Sequence, residues 1–156
     1  MKNFEIRKAT LEDLDKIVEL GEKLHQFHVE MNEFYNIYHK FENHREFYEK
    51  ELKDEKSLYL VALVDGKIVG YASASYFDLK KEAAPIVGKI RAEFVEEKFR
   101  GLGIGKKMVY TLIDWLKTKN VSYIETGIDV KNQKNIKNFE KAGFEIYSVN
   151  MLKKIR

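Results

Sequence analysis

Arg100-Gly101-Leu102-Gly103-Ile104-Gly105-Lys106 places three glycines at alternate positions between an arginine and a lysine, directly ahead of an amphipathic helical pattern. That is anion-binding chemistry. A helix start has N–H groups without intrahelical acceptors and a partial positive charge, so a phosphate placed there meets donors and a favourable dipole together. Glycine lets the backbone approach closely and adopt positive φ. Two common phosphate loops fail on residues. A Walker loop requires glycine where Arg100 stands and Ser or Thr where Lys107 stands, so no hydroxyl is placed for magnesium. The dinucleotide pattern requires glycine at Lys106 in one register and at Met108 in the other. A bare surface turn seldom needs three glycines beside an arginine.

Arg100, Gly103 and Gly105 satisfy R/Q-x-x-G-x-G/A, the acetyl-coenzyme A loop of the Gcn5-related N-acetyltransferase (GNAT) superfamily, which this chain resembles. Upstream, Val95-Glu96-Glu97-Lys98-Phe99-Arg100 is similar to that family's V-x-P-x-Y/F-R approach, with Glu97 where proline is frequent. Downstream, Asn132 to Phe144 resembles its second signature, N-x-x-A-x-x-x-Y-x-x-x-G-F, with Asn135 for alanine and Phe139 for tyrosine. The two motifs span roughly a third of the chain in the family's order.

The resemblance implies transfer of acetyl from acetyl-CoA directly to the primary amine of a small molecule or peptide, with no metal. It implies a mixed α/β (α+β) fold of six to seven strands flanked by helices, with the fourth and fifth strands splayed so that the cofactor's pantetheine pairs with the fourth. Residue by residue, it puts those backbone contacts at Glu93 and Val95, with an N–H near Glu93 or Phe94 aimed at the thioester oxygen. Arg100, Gly101, Leu102, Gly103, Ile104, Gly105 and Lys106 then cradle the pyrophosphate, and Asn132 and Phe139 complete the cofactor set.

An ammonium acceptor must lose a proton, and Glu93, at a position usually apolar in the family, is the first candidate base. Asp129 is a weaker one, sharing a strand face with Glu125 by period-2 alternation. Phe139 cannot donate a proton to the departing thiolate as a tyrosine would. That departure leaves open a second reading, a CoA-binding or sensing module with little transferase activity. Acceptor specificity is expected between the first two helices and across Asp78 to Gly88. The segment Leu24 to Phe47 is rich in rings, and His25, His28, Tyr35 and Tyr38 are candidates to line an amine pocket by cation–π contact. His25 and His28 lack partners at metal-ligand spacing.

These residues need elements to hold them. Phe4, Ile6 and Lys8 alternate as a first strand, and Thr10-Leu11-Glu12-Asp13 reads as a capping box opening a helix that runs to about Glu30. A second helix is expected from Asn43 to Lys53. Leu58–Val64 and Ile68–Phe77 flank Asp65-Gly66-Lys67, a hairpin signal. Val87–Glu96 is the fourth strand, and the phosphate helix follows to Lys119 with Met108, Val109, Leu112, Ile113, Trp115 and Leu116 as its apolar stripe. A fifth strand over Val121–Val130, a helix over Asn132–Lys141 closed by Gly143, and a last strand over Phe144–Leu152 complete the chain.

The bulk properties fit one domain over residues 1–156. The absence of cysteine excludes disulfides, thiolate metal sites and a cysteine nucleophile. The sequence shows neither a signal-like start nor a membrane span, so the expected location is the cytoplasm. With 28 basic against 25 acidic residues, dispersed, a nucleic-acid partner is not expected. A homodimer is compatible with the sequence, although no residue selects it.

Overall fold

The computed structural model describes residues 3–38, 44–78 and 85–156. Five strands form one sheet in the order β1 (Phe4–Lys8), β2 (Ser57–Val64), β3 (Lys67–Asp78), β4 (Ile86–Val95), β5 (Tyr123–Thr126). The first three pairings are antiparallel and β4–β5 is parallel. The helices are α1 (Leu14–Met31), the four-residue α2 (Tyr35–Tyr38), α3 (His44–Lys53), α4 (Ile104–Lys117) and α5 (Gln133–Lys141).

β2 explains the layering. Its sequence SLYLVALV is almost continuously buried, as expected of a strand covered on both faces. On one face Leu58, Leu60, Ala62 and Val64 join Met108, Leu112 and Leu116 of α4 in the main core. On the other, Tyr59 and Val61 meet Ile17 and Leu20 of α1. Small residues decide how closely the layers approach. A Cβ on Gly21 of α1 would collide with the Tyr48 hydroxyl of α3, and one on Gly88 of β4 would lie 2.8 Å from Leu116.

The Asp65-Gly66 hairpin forms with φ of 50° and 73°, the positive values that a tight turn between twisted strands requires. At the start of α1, Asp13 Oδ2 accepts from the Thr10 N–H at 2.8 Å while Arg7 holds the same carboxylate from both nitrogens at 2.7 and 2.8 Å. The helix is thereby locked to β1.

Two strand expectations are corrected. The sheet has five strands, because Phe144–Leu152 enters no ladder and residues 145–156 lie exposed. A strand needs a neighbour for its N–H and C=O groups, and among the described residues this segment pairs with none. β5 is also shorter than Val121–Val130, because pairing with β4 ends at Ile90↔Thr126. Among the described residues no helix is long and apolar enough to cross a membrane.

Candidate functional site

A β-bulge creates the cleft. The β3–β4 register runs Ala74↔Ile90 and then Ser73↔Ala92, so Arg91 is an extra residue and the phase of β4 reverses there. Before the bulge, the Ile86 and Ile90 carbonyls face β5, accepting from Ser122 N at 2.9 Å and Thr126 Oγ1 at 3.1 Å. After it, the Glu96 N–H turns to Val69 O of β3 at 2.9 Å, so alternation points the backbone groups of Glu93 and Val95 away from β3. On that side pairing with β5 has already ended at Ile90↔Thr126. A ligand amide chain could therefore take the place of the missing strand.

The glycine loop lies at the end of this open edge. Gly101 and Gly103 have φ of 82° and 84°, and an added Cβ at either would meet nothing within 4 Å, so the conformation demands glycine and the space above it is clear. Gly103 caps α4, with Lys107 N donating to its carbonyl at 3.0 Å. The N–H groups of Ile104, Gly105 and Lys106 therefore head the helix without intrahelical acceptors. Ile104 is buried and anchors this turn in the core, while Leu102 is exposed at the loop tip. These features fit a pyrophosphate.

Arg100 acts on the loop from behind. Its Nε donates to Val95 O at 2.8 Å, and its guanidinium sits 5.8 Å from the Phe27 ring and 5.6 Å from the Phe94 ring. It staples the turn to the end of β4 and to α1. The Lys106 ammonium lies 5.8 Å from the Tyr110 ring, along the helix.

Glu93 projects onto the α4 side of β4. A Cβ on Gly105 would collide with its carboxyl, which accounts for the third glycine. Burial pushes Glu93 above the usual carboxylate range, opposed by the Arg100 charge. A carboxyl held there is closer to a useful base than a solvated one.

Asp129 is held by three hydrogen-bond donors. Burial raises it, but the Lys131 N–H at 2.8 Å, Asn32 Nδ2 at 3.3 Å and the Tyr35 hydroxyl outweigh burial and leave it below its ordinary value. Lys131 Nζ also reaches Met31 O at 3.0 Å. These bonds clamp the end of α1 to the β5–α5 turn. Tyr35 in turn packs on His28, ring centroids 5.2 Å apart. His28, Tyr35 and Asp129 thus come together, whereas His25 turns to His44 of α3 at 6.3 Å. The Tyr38 side chain and residues 79–84 of the β3–β4 connection lie outside the described residues.

Asn132 caps α5, its Oδ1 accepting from Asn135 N at 3.3 Å. Phe139 is 4% exposed, in the main core, edge-on to Phe144 at 5.1 Å. Of the tyrosines that could replace the absent acid, Tyr71 is buried with its hydroxyl 3.3 Å from that of Tyr48, and burial raises its pKa well above the ordinary tyrosine value. Tyr76 packs on Trp115, and Tyr147 donates to Glu125 at 3.1 Å. Sequence reading did not anticipate the Arg100–Phe27 stack or the Asn32–Tyr35–Asp129 clamp. Both join segments more than seventy residues apart, and no local pattern announces such contacts.

The chain matches the acetyltransferase (GNAT) family over residues 24–144. It is 29% identical over 146 residues to an uncharacterized N-acetyltransferase of Methanocaldococcus jannaschii, covering 93% of this chain and 62% of that protein. It is 27% identical over 150 residues to an N-alpha-acetyltransferase of Sulfurisphaera tokodaii, covering 92% and 81% of the two. An aminoglycoside N-acetyltransferase, AAC(6')-Iy, solved with CoA, superposes with a TM-score of 0.77 at 20% identity, over 100% of this chain and 97% of that one. With a bulge-opened edge, a left-handed glycine turn and a family match over most of its length, this chain belongs to the acetyltransferase (GNAT) family, and the domain it forms is an acetyl-CoA-dependent acyltransferase.

Proposed function

We propose that the protein transfers acetyl from acetyl-CoA to the primary amine of a small molecule or a peptide, as one domain spanning residues 1–156. One observation carries this reading: the bulge at Arg91 turns the backbone of Glu93 and Val95 toward a gap that ends at the left-handed Gly101–Gly103 turn. Bound acetyl-CoA supplies the activated thioester. The α4 N–H groups hold its pyrophosphate, Arg100 keeps that turn in place, and the open edge of β4 aligns the pantetheine. Glu93 takes a proton from the incoming ammonium, directly or through water, and its raised pKa brings it nearer to that task. Asp129, held low and engaged by three donors, positions the acceptor wall through Tyr35 and Asn32. The name of the Sulfurisphaera relative favours a peptide α-amine, and the AAC(6')-Iy likeness keeps small amines in view.

A second reading, a CoA-binding or sensing module, is favoured by Phe139 alone. At that position a buried phenyl ring offers no proton to the leaving thiolate. Thiol release from acetyl-CoA, measured with amines, polyamines, aminoglycosides and peptide N-termini, separates the two. Amine-dependent release supports the transferase. Tight cofactor binding with no release under any acceptor supports the sensor.

A further inference from the structure

Among the described residues three polar side chains are buried: Asp13 of the α1 lock, and Ser73 and Ser75 of β3, 1% and 9% exposed. The two serines flank the bulge. Ser73 stands opposite Ala92 and Ser75 opposite Lys89, so the extra residue, Arg91, falls between them in the register. On β2 the residues opposite them are Tyr59 and Ser57, which gives four polar side chains in one cross-strand block. α3 closes over this block with a charge. Ser57 Oγ donates to Glu51 Oε2 at 3.3 Å, and Arg91 Nη1 lies 3.8 Å from the same oxygen while donating to Ser75 Oγ at 3.4 Å. The Tyr59 hydroxyl belongs to the same set: burial and the Glu51 charge raise its pKa, and Ser73 and Arg91 work against them.

Tyr59 otherwise packs in the apolar layer of Ile17 and Leu20. Apolar contact is non-directional and would hold that layer without choosing where the extra residue of β4 sits. Polar and charged pairs can make such a choice of register. The choice matters because a one-residue slip exchanges the two faces of a strand. With the extra residue moved past Glu93, the backbone groups of Glu93 would turn back to β3 and be lost from the open edge. We propose that Arg91 is a positioning residue for acetyl-CoA: held between Glu51 and Ser75, its guanidinium fixes the bulge ahead of Glu93 and so aims the Glu93 and Val95 backbone at the pantetheine. This rests on the reading that the open edge of β4 takes the cofactor. With the Glu51 side chain 14% exposed and that of Arg91 41%, the pair is screened less than one at the surface.

The glycine loop and the β4 edge hold different halves of the cofactor. Arg91→Met and Glu51→Gln are each expected to weaken acetyl-CoA about tenfold in calorimetric titration, while 3′-phosphoadenosine 5′-diphosphate, its nucleotide half, binds within about twofold of the parent. Arg91→Lys keeps the charge and should recover most of the loss. Parent-like acetyl-CoA affinity in both weakened variants overturns the proposal, as does an Arg91→Lys variant no better than Arg91→Met. Equal weakening of both ligands also overturns it, because that is the mark of a general loss of structure. A parent that binds no acetyl-CoA overturns the cofactor reading itself and the proposal with it.

Discussion

Gly103 carries the most specific expectation at the scale of single residues. Its φ of 84° costs an L-residue roughly 1–2 kcal/mol, and a carboxylate there would face the phosphates. Gly103→Glu is expected to reduce acetyl-CoA affinity by at least ~100-fold in calorimetric titration, with far-UV circular dichroism unchanged. Affinity equal to the parent would remove the loop from the cofactor site. For Glu93 the sign follows from burial. Its folded pKa lies above the unfolded value, so the group favours folding below about pH 4 and that contribution is lost as pH rises through the folded pKa. Glu93→Gln should therefore melt higher than the parent at pH 7 and alike near pH 4. If Glu93 is the base, the same variant loses the acidic limb of the kcat profile, and an unchanged limb would assign proton removal to another group. The loop was legible in the sequence because its logic is local: glycine spacing, a flanking arginine and a helical stripe. The commitment of Asp129 was not, because the donors that lower its pKa include Asn32 and Tyr35, nearly a hundred residues away.

Among elements, the clamp between α1 and the β5–α5 turn is expected to shape the acceptor side. Tyr35→Phe removes one donor to Asp129 and leaves the glycine loop alone. It should raise KM for the amine several-fold while KM for acetyl-CoA stays put; a change confined to the cofactor would contradict this placement. The lock at the start of α1 gives a stability test. Arg7 hydrogen-bonds Asp13 and holds its carboxylate below the usual range, against burial, so this contribution is present above about pH 4 and is lost as pH falls through the folded value. Asp13→Asn should cost about 1–3 kcal/mol in urea unfolding at pH 7, less than a fully buried pair because Arg7 is partly exposed. The cost should shrink toward pH 3. Four of the six expected strands stand within a residue or two of their predicted ends, because alternation and the Asp-Gly turn mark them. The fifth is shorter than its apolar pattern suggests, and the sixth pairs with no strand among the described residues. Periodicity reports what a segment could bury, not which neighbour is present to receive it.

For the whole molecule, two layers on one sheet fix where the glycine turn and the open edge of β4 meet. α4 is fixed by Met108, Leu112 and Leu116 against β2, and its start is thereby aimed at the open edge that the Arg91 bulge makes in β4. The measurement that tests the central claim most directly is thiol release from acetyl-CoA in a protein that has no thiol of its own. Release should depend on a primary amine, saturate with it, and vanish in Gly103→Glu. Tight acetyl-CoA binding with no amine-dependent release across the acceptor panel would contradict the account.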